Sequence, residues 1–115
     1  MLNLKNSQEL NLLMKNTKCL IIKFSASWCG PCKNKDFVNS YYQLKEKMKN
    51  NSDVVFLELD VDKNVNLVED KKLEFNIKSI PIIKIYYKGK IMNEYVGIDC
   101  INKVDTDIDK ILTNY

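Results

Sequence analysis

The stretch Ile21-Ile22-Lys23-Phe24-Ser25-Ala26-Ser27-Trp28-Cys29-Gly30-Pro31-Cys32-Lys33 runs from a compact apolar segment straight into two cysteines separated by two residues. The segment 19–25 has the length and apolar density of a strand buried on both faces. Beyond the cysteines, Phe37, Tyr41, Leu44 and Met48 recur at helical spacing, so a helix follows. A cysteine pair at a strand-to-helix junction is placed for chemistry. With Cys29 capping the helix and Cys32 in its first turn, unpaired N–H groups and the positive end of the helix dipole favour a thiolate at Cys29. Cys29 is then expected to be the exposed nucleophile and Cys32 the more buried resolving thiol. Pro31 suits an early helical position, where no N–H is needed.

Two other uses of the pair stay open at this level. A tetrahedral metal site needs about four ligands, and only Cys19 and Cys100 remain as thiols, neither in a second such pair. The pair can also be inert core thiols. No metal and no bound cofactor is expected, only a redox-active Cys29–Cys32 disulfide.

Outward from this junction the pattern alternates. Leu2 and Leu4 suit a short edge strand. Ser7 is a candidate N-cap, followed by Leu10, Leu13 and Met14 on one helical face. Residues 54–61 read as a second buried strand, and 64–75 as a helix with a weaker apolar stripe. Residues 82–87 and 90–96 read as hairpin strands about a Lys88-Gly89 turn. Val104, Ile108, Ile111 and Leu112 mark a closing helix. The order β-α-β-α-β-α-β-β-α predicts an α/β fold, with a central mixed sheet flanked by helices on both faces. With 115 residues, residues 1–115 are expected to form a single domain.

Composition narrows the function. All 18 basic residues are lysine, and histidine is absent. Without arginine's planar fork, sequence-specific nucleic-acid readout is not expected. Without histidine, His-containing zinc sites, His-assisted cysteine proteases and Ser-His-Asp triads are excluded. No run of about 18 apolar residues suggests a membrane span. The N-terminus lacks the pattern of a secretory signal, so a cytoplasmic, reducing compartment is expected, where a close cysteine pair is catalytic or metal-binding rather than structural.

Trp28-Cys29-Gly30-Pro31-Cys32-Lys33, together with residues 55–62, Ile77-Lys78-Ser79-Ile80-Pro81, Lys88-Gly89-Lys90 and Val96-Gly97, resembles the thioredoxin family over nearly the whole chain. The resemblance implies the thioredoxin fold and a monomeric protein-disulfide reductase that contributes to cell redox homeostasis. It also implies disulfide-containing target proteins and a thioredoxin-reductase-type electron donor. It further implies that Pro81 is cis, faces the cysteines, and presents the Ile80 backbone to an extended substrate. Trp28, Gly30, Pro31, Ile80, Pro81, Gly97 and Ile98 would form an apolar platform around Cys29, though Ile98 also suits the core. An oxidase or isomerase, or a docking module with little turnover, are the competing readings.

The chain departs from the family pattern in three places. Lys23 stands where the family carries a buried acid, and Glu58, on the neighbouring strand, falls where some relatives carry lysine. A Lys23–Glu58 pair of swapped polarity is one expectation, and a Lys23 side chain snorkelling to solvent is the other. Phe37 replaces a kinking proline, so the helix should be straighter. Ile82 replaces a threonine after the cis-proline, which should make the groove more apolar. Cys19 reads as a small core hydrophobe, whereas Cys100 has the position of an exposed thiol open to oxidation.

Overall fold

Strand β1 (Cys19–Ser25) organises the molecule. A computed structural model describes residues 6–114. In it β1 runs parallel to β2 (Val54–Asp60) on one side and antiparallel to β3 (Ile82–Tyr87) on the other. β4 (Lys90–Val96) pairs antiparallel with β3, giving the order β2-β1-β3-β4. The helices are α1 (Ser7–Asn16), α2 (Lys35–Lys47), α3 (Val65–Val68) and α4 (Ile101–Asn114).

The alternation of β1 explains the layering. Cys19 and Ile21 face one core with Phe37, Tyr41 and Leu44 of α2 and Val104, Ile108 and Ile111 of α4. Leu20, Ile22 and Phe24 face a second core with Leu10 and Met14 of α1, Leu67 of α3, and Phe75. Both faces are covered, which is why the strand is apolar apart from Lys23 and Ser25. Phe75 stands edge-on to Phe24 and to Tyr86, with ring centroids 5.0 and 6.2 Å away. The hairpin turn places both Lys88 and Gly89 in the left-handed region, at φ 48° and 86°. Such a turn matches the twist of the flanking strands, and glycine adopts it without strain.

Three expectations are corrected. Asn6, rather than Ser7, caps α1, and its side chain accepts the Glu9 N–H at 2.9 Å. The helix expected over 64–75 closes after Val68. There the Asp70 side chain accepts the Lys72 N–H at 2.8 Å, a local bond that competes with helix continuation. Glu74 and Asn76 then take left-handed φ values of 54° and 51°, while Leu73 and Phe75 still reach the core. Finally, β2 is less buried than expected: Val54 and Phe56 join one core and Leu57 and Leu59 the other, but among the described strands β2 lies at the sheet edge, and Glu58 is exposed. Leu2 and Leu4 fall outside the described residues.

Candidate functional site

β1 delivers the chain at Ser25 to a tight loop in which the Cys29 N–H donates to Ala26 O at 3.1 Å. Cys29 and Cys32 are joined as a disulfide, with Cα atoms 5.3 Å apart. Pro31–Lys33 form a single 3-10 turn with proline at its start. Asn34 then leaves the helical region (ψ 124°), and its side chain accepts the Phe37 N–H at 3.0 Å, capping α2 afresh. Cys29 therefore does not head one continuous helix. The break falls at Asn34, three residues before Phe37, because asparagine offers its own cap there. The donor that reaches Cys29 is instead a single amide: the Cys32 N–H lies 3.2 Å from Cys29 Sγ.

The expected contrast in exposure is also absent. Cys29 is 4% exposed and Cys32 6%. Both sulfurs pack with Ala26 against Val61 and Ile80, so in the disulfide form burial does not distinguish them.

Three loops meet here. The Ile80–Pro81 peptide is cis, and Ile80 O lies 3.9 Å from Cys29 Sγ. Pro81 O accepts the Gly97 N–H at 3.0 Å, tying the loop after β4 to the one before β3. Gly97 has φ +94°, a conformation that favours glycine. Trp28 is 67% exposed, and its indole N–H donates to Asp62 at 2.5 Å. Gly30, Pro31 and Lys33 are exposed around the disulfide, Ile80 is half-buried and Pro81 buried. Ile98 packs against the α2–α4 core. Ile82 is buried in the α1–α3 core, so it does not line the groove, because β3 has already turned it inward.

Lys23 stands opposite Glu58 in the parallel register, with Nζ 3.7 Å from the carboxylate. Its side chain is 6% exposed and does not snorkel to solvent, whereas that of Glu58 is 56% exposed. The ammonium also lies 4.6 Å from the Tyr41 ring centre and 5.4 Å from that of Phe37. The Tyr41 hydroxyl donates to Leu57 O at 3.1 Å. Burial pushes its pKa well above the usual tyrosine value, and the nearby Glu58 charge adds to this.

Two residues escaped the sequence. Asp62 anchors Trp28 across a gap of 34 residues. Lys84 is a second buried lysine: it donates to Phe75 O and pairs with Glu94 at 2.9 Å. Lys84 thereby fixes the segment that leads to the cis-proline. Its only sequence signal is a charge inside an apolar strand. The other two cysteines are free and buried. Burial lifts the Cys19 pKa to about 11, with Lys18 partly opposing. Cys100 is not exposed as expected: the bend after β4 turns its sulfur back to 3.5 Å from Gly97 O, and burial raises its pKa too. Among the described residues no cluster of three or more Cys, Asp or Glu can hold a metal ion, and no helix is long and apolar enough to cross a membrane.

Comparison with known proteins agrees with this geometry. The Thioredoxin family model matches residues 2–110. Sheep thioredoxin is 35% identical over 96 residues, covering 83% of this chain and 81% of that one. Thioredoxin H8 of Arabidopsis thaliana is 33% identical over 107 residues, which are 93% of this chain but only 63% of that relative's length. The structure of oxidised yeast mitochondrial thioredoxin 3 superposes with a TM-score of 0.75 at 25% identity, covering 93% of this chain and 92% of the other. Thioredoxin from Trypanosoma brucei brucei reaches a TM-score of 0.79 at 18% identity, over 98% and 91% of the two chains, a likeness of fold. A mixed sheet, a Cys29–Cys32 disulfide after its central strand, a cis-proline beside that disulfide and a family match over nearly the whole length converge, and the chain belongs to the thioredoxin family.

Proposed function

We propose that this chain is a protein-disulfide reductase. The observation that carries the proposal is the position of Cys29 Sγ, between the Cys32 N–H at 3.2 Å and the cis-proline carbonyl of Ile80 at 3.9 Å. The first contact favours a thiolate at Cys29. The second puts that sulfur beside backbone to which an extended target segment can pair.

In the reduced protein the Cys29 thiolate attacks one sulfur of a target disulfide. An S–S bond forms between Cys29 and the target, the target's own S–S bond breaks, and its second sulfur leaves as a thiolate that takes a proton. Cys32, deprotonated, then attacks Cys29 Sγ. The Cys29–Cys32 disulfide forms and the first target sulfur departs as a thiol. Two electrons pass to the target, and the protein is left in the disulfide form. Cys29 is assigned the nucleophile and Cys32 the resolving thiol because the amide donor points at Cys29. An external dithiol, such as that of a thioredoxin-reductase-type partner, restores the reduced state. The working unit is one cytoplasmic domain acting as a monomer in cell redox homeostasis, with Trp28, Gly30, Pro31, Ile80, Pro81 and Gly97 as the docking platform.

The test is insulin reduction driven by dithiothreitol. The wild-type protein accelerates precipitation, and Cys29→Ser abolishes the effect. Cys32→Ser accumulates a mixed disulfide with the target, seen by mass spectrometry. Turnover that survives Cys29→Ser rejects the assignment.

A further inference from the structure

A groove of about 740 Å³ opens from Trp28 and Ile80 toward α3. Its apolar lining includes Val61, Val65, Val68, Ile77 and Ile80. Val61 and Ile80 also pack against the two sulfurs, so the groove and the disulfide share a wall. The charged lining is Asp62, Glu69, Asp70 and Glu74 against Lys71 and Lys78, a net of minus two on a chain whose net charge is +3.

The excess positive charge gathers elsewhere. In the register Cys19 pairs with Tyr87, so the Lys88-Gly89 hairpin lies at the end of the sheet away from Ser25 and the cysteines that follow it. A second cavity of about 450 Å³ beside that hairpin is lined by Lys15, Lys72, Lys84, Lys88 and Lys90 against Glu74 and Glu94. The cavity beside the hairpin is thus net basic and the groove beside the disulfide net acidic, with Glu74 lining both. A field of that shape attracts a cationic group to the groove and turns an acidic one away from it.

Resting on the reductase reading, we propose that this groove selects target segments in which lysine or arginine and apolar side chains flank the cysteine under attack. The apolar side chains cover the valine and isoleucine floor, and the cations face Glu69 and Glu74, both of which are exposed. The net charge of the whole chain would favour the opposite targets, so the sign of the preference separates the groove from the bulk charge.

The test uses two peptides of one apolar framework, each carrying a mixed disulfide with 2-mercaptoethanol, flanked by lysines in one and glutamates in the other. Reduction by the fully reduced protein is followed in a single turnover through the fluorescence of Trp28, the one tryptophan. At low salt the lysine peptide reacts at least about threefold faster, and the ratio falls toward one at about 0.5 M salt as screening sets in. In Glu69→Lys/Glu74→Lys the ratio collapses or inverts. Dividing the wild-type ratio by that of the variant cancels the peptides' own reactivities. Equal rates, a glutamate preference, or a ratio untouched by the double substitution overturns the proposal. Should the variant not fold, Glu69→Gln and the wild-type salt dependence decide by the same criteria. Neutral 2-hydroxyethyl disulfide is the control: if it too goes unreduced, the reductase reading fails, and selectivity falls with it. Its reduction without a charge preference refutes selectivity alone.

Discussion

Replacing Lys23 by methionine should leave the protein as stable as before or more so, whereas replacing its partner by Glu58→Gln should weaken it. Lys23 carries an ammonium on a side chain only 6% exposed, 3.7 Å from a carboxylate on a side chain 56% exposed. An effective dielectric near 20 would put the bare attraction at about 4 kcal/mol, but solvent at Glu58 screens the pair toward about 1 kcal/mol. The Tyr41 and Phe37 rings, 4.6 and 5.4 Å away, add contacts worth about 0.5–2 kcal/mol each. Against this stands a desolvation penalty of several kcal/mol for the buried ammonium, on the order of the gains combined. Methionine keeps the unbranched stem and removes the charge, so the net change should lie between zero and a gain of about 2 kcal/mol. Glutamine at position 58 removes the screened attraction and leaves the penalty, so it should cost about 1 kcal/mol. The assay is urea unfolding with the Cys29–Cys32 disulfide intact in every variant, with Lys23→Met/Glu58→Gln expected to match Lys23→Met. A loss of more than about 2 kcal/mol in Lys23→Met with a silent Glu58→Gln would refute this balance. The same Lys23→Met protein answers the chemical question through the pH profile of Cys32 alkylation, and an unchanged profile removes Lys23 from the proton chemistry.

Four further outcomes are expected. Tyr41→Phe strands the Leu57 carbonyl that the buried hydroxyl now satisfies, so calorimetry should show a loss of about 1–3 kcal/mol. With its pKa near 11, Cys19 is only about one part in a thousand thiolate at pH 8. Iodoacetamide on the reduced native protein should therefore label Cys29 and spare Cys19, as read by peptide mapping. The N–H groups of Lys63 and Asp62 hold the Asp60 carboxyl below its ordinary value. Its stabilising effect is complete above the unfolded-state value of about 3.9 and is lost as pH falls through the lower folded-state value. The stability gap between wild type and Asp60→Asn should accordingly close below about pH 4 and stay constant above pH 6. Gly97→Ala meets no atom within 4 Å, so its effect is the backbone strain of φ +94° alone, a loss of about 1–2 kcal/mol in thermal unfolding.

The large elements were legible because each carries its own period. The run Cys19–Ser25, the stripe Phe37–Tyr41–Leu44 and the Lys88-Gly89 turn are local signals, and they yield β1, α2 and the hairpin. The mixed sheet followed from their order. What was hidden depended on competition or distance. The break at Asn34 arises because one side chain caps α2 anew, whereas the apolar stripe alone suggested a helix reaching back to Cys29. The end of α3 is set by an Asp70 turn against a weak stripe. The Trp28–Asp62 bond joins residues 34 apart and leaves no trace in either neighbourhood. The Lys84–Glu94 pair was masked by register. Counting outward from the turn, Tyr87 meets Lys90 and Tyr86 meets Ile91, so an unbroken ladder would set Lys84 against Asn93. An irregularity between Ile85 and Tyr86 shifts the pairing by one, and Glu94 arrives opposite Lys84 instead.

That shift exposes a symmetry in how the sheet holds its two buried cations. Each lysine lies on one of the inner strands, Lys23 on β1 and Lys84 on β3, and each faces a glutamate on the adjoining outer strand of the described sheet. One sits on the α2–α4 side with Phe37 and Tyr41, the other on the α1–α3 side near Phe24 and Phe75. In both, a long side chain carries its charge from the core toward a half-exposed carboxylate at the rim, which reduces the desolvation that a central charge would suffer. The two differ in what they hold. Lys84 also bonds the Phe75 carbonyl and so pins the segment running to Ile80 and Pro81, while Lys23 contacts Glu58 of the sheet and the Phe37 and Tyr41 rings of α2. The geometry around the cis Ile80–Pro81 peptide therefore depends on Lys84 more than on Lys23. Of the two lysines, Lys23 is the one whose replacement should disturb the segment leading to Pro81 least.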